Sequence, residues 1–359
     1  MSKKVFVGLS GGVDSSVTAA MLKEQGYDVT GVYMKNWSQD LPGFACPWKE
    51  DYQDAKRVAV QLGIDFKMYD FEKEYRQRVV DYMIDEYKAG RTPNPDIMCN
   101  QEVKFKLFLN TALEGGADMI ATGHYARIED GQLYTAANLD KDQTYFLYRV
   151  KETALARSLM PIGDFATKDE VRATAKKFVL ATAEKKDSQG ICFVGKVGIR
   201  EFLEQFVTTE PGDILEQHGV KVGRHDGALF YTIGQRHGLN VGGGLPYYVI
   251  GKDMDKNEVY VTTDLQDERL WRKELHLTDL HWINDDFESF KDKSADGTLK
   301  VRTRYRAPLV DVSAIRETES GIAVELSEAV RAITPGQSAV FYLENGIDKS
   351  RCLGGGIVI

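Results

Sequence analysis

The sequence predicts a doubly wound α/β domain built on a mostly parallel sheet, followed by two smaller β-rich modules. Three observations carry that prediction. At 359 residues the chain exceeds the length at which one hydrophobic core stops growing, so more than one domain is expected. Up to about residue 205, short apolar runs alternate with segments of helical periodicity. Beyond that point glycine becomes frequent, and turn dipeptides such as Pro211-Gly212, Asp226-Gly227 and Pro335-Gly336 separate short β-branched or aromatic runs.

Residues 5–9 form an apolar run of the kind buried on both faces of a parallel sheet. Val17, Ala20, Met21 and Glu24 follow at helical spacing, and Gly26 stops that helix. Residues 29–34 predict a second strand, 51–62 a helix closed by Gly63, and 64–71 a third strand. Two long amphipathic stretches come next, 72–89 ending at Gly90 and then 101–114, and residues 118–123 predict a further strand. In such sheets ligands bind outside the carboxyl ends of the strands. A charged stretch at Arg272-Lys273-Glu274 marks a second break, so the expected domains are 1–205, 206–273 and 274–359.

No apolar stretch reaches the 18 residues of a membrane span, and the N-terminus runs into a strand without a secretory pattern, which predicts a cytoplasmic protein. The net charge of −8 opposes a nucleic-acid partner unless a local basic surface compensates. The four cysteines, Cys46, Cys99, Cys192 and Cys352, form no CxxC or Cys/His cluster, so no metal site is expected. A reducing compartment also disfavours a lasting disulfide, which leaves buried or reactive thiols.

The strongest motif is Ser10-Gly11-Gly12-Val13-Asp14-Ser15-Ser16, after the first strand and opening the first helix. Two glycines let backbone amides approach a phosphate, the serines add donors, and the helix N-terminus adds partial positive charge. The spacing is not that of a GxxxxGK[ST] loop, and no lysine follows. The competing explanation is a glycine turn whose serine or aspartate merely caps the helix. The motif resembles the pyrophosphate loop of the N-type ATP pyrophosphatases, which adenylate an oxygen and release pyrophosphate. That group includes GMP, argininosuccinate and asparagine synthetases and several tRNA-modifying enzymes, and the loop does not choose among them.

Two cysteine segments do choose. In Arg91-Thr92-Pro93-Asn94-Pro95-Asp96-Ile97-Met98-Cys99-Asn100 the prolines predict a stiff extended loop, with Cys99 just before a helix whose dipole would favour the thiolate. Asp187-Ser188-Gln189-Gly190-Ile191-Cys192-Phe193 reads as a shaped turn. Together with the loop they resemble the tRNA-specific 2-thiouridylases, and the similarity extends along nearly the whole chain. Gly123-His124-Tyr125, Lys141-Asp142-Gln143-Thr144-Tyr145, Tyr231-Thr232-Ile233-Gly234-Gln235-Arg236 and residues 302–305 match in the same order.

The resemblance implies an adenine nucleotide alpha hydrolase-like first domain, a β-barrel at the end, and tRNA-uridine 2-sulfurtransferase activity. ATP, with Mg2+, adenylates the C2 oxygen of the wobble uridine in the glutamate, glutamine and lysine acceptors. Cys192 carries a persulfide, Cys99 acts as the second thiol, and Asp96 is the general acid/base. Gly8, Leu9, Ser10, Gly11, Gly12, Val13, Asp14, Ser15, Met34 and Gly123 hold the nucleotide. Asn94, Pro95 and Asp96 face the target base, while His124, Lys141, Asp142, Gln143, Arg304, Tyr305 and Gln337 contact tRNA. The partners implied are tRNA and a persulfide-donating sulfur-transfer protein or cysteine desulfurase, with no membrane and no DNA. Cys46 and Cys352 match no catalytic segment.

The basic surface that the net charge demands is expected on one strand. Lys300, Arg302, Arg304 and Arg306 alternate with Val301, Thr303 and Tyr305, which would align four cations over about 20 Å at roughly 3.3 Å per residue. Two other readings compete: an adenylating synthetase of a small metabolite, and a non-catalytic sulfur carrier or tRNA binder.

Overall fold

The computed structural model describes residues 2–40, 45–186, 198–216, 218–239, 241–242, 244–284, 290, 292–294, 297–344, 346 and 349–359. Cys192 and the segment around it lie outside the described residues.

The first unit is organised by β1 (Lys4–Gly8), whose Val5, Phe6 and Val7 are wholly buried. Val5 and Val7 join one apolar cluster and Phe6 the other, as the period of two requires of a strand covered on both faces. Helix α1 (Val13–Glu24) leads to β2 (Asp28–Lys35), and α2 (Trp48–Leu62) to β3 (Asp65–Asp70). Gly63, at φ 57°, ends α2 in the left-handed conformation.

The two long amphipathic stretches are helices interrupted by π-helical turns. α3 (Glu72–Tyr75) passes through Arg76–Val80 into α4 (Asp81–Lys88), and α5 (Pro95–Met98) passes through Cys99–Phe108 into α6 (Leu109–Glu114). Then come β4 (Met119–Ala121), a hairpin of β5 (Arg127–Glu129) and β6 (Gln132–Tyr134), α7 (Glu152–Leu155), β7 (Ser158–Leu159), α8 (Lys168–Lys177) and α9 (Ile199–Leu203). The sheet is parallel, in the order β3-β2-β1-β4-β7. Strand order reverses between β1 and β4, the place where sheets of this kind take ligands, outside the carboxyl ends of the strands.

The central module is the sheet β10-β11-β8-β9, made of β8 (Gly212–Glu216), β9 (Lys221–His225), β10 (Tyr248–Asp253) and β11 (Glu258–Thr262). Its small core includes Ile214, Tyr231, Val249, Val259 and Val261. In the last module β12 (Trp271–Trp282), β13 (Leu299–Arg302), β14 (Val310–Thr318), β15 (Gly321–Arg331), β16 (Ser338–Glu344) and β17 (Ser350–Val358) close into an antiparallel barrel, because β17 pairs back onto β12. Gly354 makes closure possible: a side chain there would strike the His281 carbonyl. The β5–β6 hairpin of the first unit pairs with β17 and ties the barrel to it.

A second tie overturns two expectations. Asp142 was expected to contact RNA, yet it is 1% exposed and accepts hydrogen bonds from Ala136 N at 3.0 Å and Thr144 Oγ1 at 2.6 Å. Its other neighbour is Arg302, 3.4 Å away across the domain boundary. The basic stripe is equally absent. β13 ends at Arg302, the chain then turns, and Arg306 has φ 62°, so the period of two stops before Arg304. Lys300 is neutralised by Asp311 at 2.6 Å and Glu344 at 3.3 Å. Nearby, Tyr145 Oη donates to Ser338 O at 2.9 Å, and Tyr148 and Ser338 hydroxyls meet at 3.0 Å. Residues 142–148 therefore dock the barrel.

Candidate active site

The Ser10–Ser16 loop sits at the carboxyl end of β1, on the reversal point of the sheet. Gly11 has φ 76°, and a side chain there would collide with the Asp51 carbonyl. The loop is stiffened from within. Ser15 Oγ accepts from Ser10 N and donates to Gly12 O, both at 3.2 Å, and Ser16 Oγ donates to Gly12 O at 2.7 Å. Gly12 occupies the N-cap of α1, and no side chain caps the helix. A helix that leaves its first amides uncapped beside a glycine turn suits an anion. This disposes of the explanation in which Ser or Asp merely caps.

Gly123 closes the other side. A Cβ on it would lie 2.7 Å from Ser15 N and 2.8 Å from Asp14 C, so the end of β4 is packed directly on the loop backbone. Met34, at the end of β2, brings its Cε within 3.0 Å of where a Gly8 side chain would stand. Both therefore lie at the carboxyl edge beside the loop. Asp14, the loop's carboxylate, is held by Lys168 at 2.7 Å and by the Tyr125 hydroxyl at 2.9 Å. Lys168 was missed from sequence. It is the first residue of α8, 154 positions away, and no local pattern marks it. Lys185 is a second such case, bridging Asp51 and Asp54 at 2.7 Å behind Gly11.

The segment before Cys99 is not an extended loop. Asn94 caps a helix by accepting from Asp96 N at 3.1 Å, and Pro95 occupies its first turn, where a missing N–H costs nothing. Cys99 therefore stands beyond the first turn, where a helix dipole has faded. It is 1% exposed, at the start of the π-helical turn. Such turns gather at functional positions. Burial pushes the Asp96 carboxyl up, and the Lys104 ammonium partly offsets that. Lys104 lies 3.4 Å from His124 Nε2, while His124 Nδ1 shares a 2.8 Å hydrogen bond with Thr122 Oγ1. Burial, then the Lys104 charge, hold His124 well below its ordinary pKa, hence neutral. At 7% exposure His124 is a core group behind the site. Lys104 is a third cation that sequence reading passed over.

Thr92, two residues before Asn94, is where three modules meet. Its N–H donates to Pro335 O at 2.9 Å, its carbonyl accepts from Gln337 Nε2 at 2.8 Å, and its hydroxyl lies 3.1 Å from that of Thr232. Gln337, expected on RNA, here braces the Asp96–Cys99 helix. Gln143 likewise bonds Tyr125 N at 2.9 Å, and Lys141 N donates to Asn138 O at 3.1 Å. Tyr305 packs against Phe146 with 4.4 Å between ring centroids and the rings tilted by 46°, and Arg304 is exposed.

Cys352 is wholly buried and its thiol is pushed up by burial, while Cys46 contacts the Trp37 carbonyl at 3.7 Å. Among the described residues, no cluster of three His, Cys, Asp or Glu is placed to hold a metal. No described helix is long and apolar enough to cross a membrane. A cavity of about 470 Å³ between the end of α1 and β7 lies away from these groups.

Comparison with known proteins bears on this arrangement. Residues 3–196 match the tRNA methyl transferase HUP domain, 200–263 the tRNA methyl transferase PRC-barrel domain, and 272–358 the aminomethyltransferase beta-barrel domain. The chain is 47% identical over 361 residues to the tRNA-specific 2-thiouridylase MnmA of Bacillus subtilis (strain 168), covering 99% of this chain and 94% of that one. It is 46% identical over 361 residues to the MnmA of Staphylococcus aureus (strain bovine RF122 / ET3-1), covering 99% and 95%. A solved 4-thiouridine synthetase–RNA complex with bound ATP aligns at a TM-score of 0.38 and 22% identity, over 56% of this chain and 50% of that one. The domain descriptions speak of methyl transfer and the relatives of thiolation; the relatives match end to end and carry more weight.

Proposed function

This chain belongs to the tRNA-specific 2-thiouridylase family, and we propose that it uses ATP to replace the C2 oxygen of a tRNA wobble uridine with sulfur. The observation that carries the reading is the uncapped Ser10–Ser16 loop at the sheet's reversal point, backed by Gly123. Gly8, Leu9 and Val13 frame it, and Met34 borders the space for an adenosine.

The chemistry follows from the groups present. The uridine C2 oxygen attacks the α-phosphorus of ATP, pyrophosphate leaves, and C2 acquires AMP as a leaving group. The loop amides and the α1 N-terminus stabilise the phosphate charge throughout. Mg2+ would add charge neutralisation on the pyrophosphate. Asp96, whose pKa burial raises against the opposing Lys104 charge, exchanges the proton that the base loses and regains. Asn94 and Pro95 shape the edge where the base enters. A persulfide on Cys192, supplied by a partner protein, attacks C2 and expels AMP. Cys99 then attacks the inner sulfur, leaving 2-thiouridine and a Cys99–Cys192 disulfide that a thiol reductant resets; release of hydrosulfide is the variant route. The burial of Cys99 requires the site to open on binding tRNA. The glutamate, glutamine and lysine acceptors are the substrates assigned.

The test is nucleoside analysis of tRNA incubated with the protein, ATP, magnesium and a sulfide donor. 2-Thiouridine should appear in step with AMP and pyrophosphate. Pyrophosphate release that needs a small acid and ignores tRNA would make the protein a metabolite synthetase.

A further inference from the structure

Most arginines of this acidic protein are tied to carboxylates, as Arg57 is to Asp54, Arg76 to Asp81, Arg269 to Asp267 and Arg316 to Glu274. Six exposed ones have no carboxylate ion pair among the described residues: Arg157, Arg236, Arg272, Arg304, Arg306 and Arg331. Four of them, from three separate segments, group around the barrel turn 332–337: Arg304 bonds to it, Arg331 leads into it, Arg236 follows the Gly234 that abuts it, and Arg306 is two residues from Arg304. Arg304 donates to Thr334 Oγ1 at 3.2 Å. Arg306 lies over the ring of Tyr305 at 5.1 Å, and Arg331 over Tyr248 of the central module at 4.8 Å. Gly234 abuts Ala332: a Cβ on it would be 2.5 Å from that side chain. Two residues on, Arg236 projects from a turn that Gln235 locks by accepting from Thr232 N at 3.0 Å and donating to His237 O at 2.9 Å.

The other end of the same turn reaches the active site, since Pro335 O and Gln337 hold Thr92 just before the Asp96–Cys99 helix. A guanidinium lying on an aromatic face keeps its N–H groups turned outward, an arrangement suited to successive phosphates and unstacked bases. An acidic protein surface would gain less from the aromatic platforms.

We propose that Arg236, Arg304, Arg306 and Arg331 form one phosphodiester-binding seam across the central module and barrel, which makes the central module part of the tRNA surface. The inference rests on tRNA being the substrate. It replaces the linear stripe with a surface assembled from separate segments, gives Arg236, the last residue of the 231–236 match, a specific role, and adds Arg331, which no motif marked.

The experiment is titration of unmodified tRNA transcript against wild type, an Arg236→Ser/Arg331→Ser double variant and Arg316→Ser, from about 50 to 300 mM KCl. Each lost phosphate contact should lower the slope of log K against log salt by roughly 0.7–0.9, so the double variant should fall by about 1.4–1.8. Its KM for tRNA should rise about tenfold with kcat held, while Arg316→Ser keeps the wild-type slope. If the double variant melts early, Arg236→Ser alone, on an exposed turn, should lose roughly 0.7–0.9 of slope. Unchanged affinity and slope in these variants, with wild type binding normally, overturn the seam and leave the thiolation reading standing. Normal tRNA binding with impaired persulfide uptake overturns it in favour of an acidic protein partner. A wild type that binds no tRNA removes both.

Discussion

Gly123→Ala and Gly12→Ala separate two reasons for a glycine beside the loop. A Cβ at position 123 would stand 2.7 Å from Ser15 N, whereas ordinary contact begins near 3.4 Å. The end of β4 and the loop must therefore part by about 0.7 Å, even with no nucleotide bound. Overpacking of this kind costs about 1–3 kcal/mol, which for a unit of this size lowers Tm by about 2–12 °C. Displacement of catalytic groups by about 1 Å costs roughly 100-fold in rate, so kcat/KM for ATP should drop about 30- to 100-fold. At position 12 the new methyl meets only Ser10 Oγ, at 3.4 Å. Gly12→Ala should keep the wild-type Tm within about 1 °C and still weaken ATP, since the methyl stands where a phosphate must approach the α1 amides. The assays are thermal melting of the free protein and tRNA-dependent pyrophosphate release. Wild-type melting and activity in Gly123→Ala would refute the packing argument; wild-type ATP affinity in Gly12→Ala would refute the phosphate site.

Because burial raises the Asp96 pKa and Lys104 opposes it, the acid limb of thiolation should lie above the ordinary aspartate range. Lys104→Met should move that limb to higher pH and Lys104→Arg should not; an unmoved limb in pH–rate profiles would exclude the pairing. The same raised pKa means the native state holds the proton more tightly, so between the unfolded and folded pKa values stability should decline as pH rises. Cys99→Ser and Cys192→Ser should abolish 2-thiouridine formation, whereas Cys46→Ser and Cys352→Ala should retain it; full activity in either of the first pair removes the two-thiol chemistry. Thr232→Val removes a bond worth about 1 kcal/mol from the Thr92 joint and should lower kcat about fivefold, with Thr232→Ser restoring it. Asp142→Ala strands a buried arginine and should cost about 3–5 kcal/mol, read as a lower melting temperature.

The sequence by itself determined what depends on near neighbours. Apolar runs at 5–9 and 29–34, Gly63 as a helix stop, and the Ser10–Ser16 turn all obey rules of backbone geometry that span a few residues, and the structure has them where expected. Even the error at Pro95 was local: proline suits the first turn of a helix as well as an extended loop, and the Asn94 cap decides for the helix. Tertiary structure alone decided the fate of the charges. Lys300 and Arg302 looked like free cations until Asp311, Glu344 and Asp142 were brought against them, and His124 looked exposed until Thr122 and Lys104 enclosed it. Lys168 and Arg331 reach their places from segments far away in the chain. The physical reason is range: torsional preference and hydrophobic period are written within a turn or two, whereas desolvation and Coulomb energy depend on whichever groups folding places within a few ångströms.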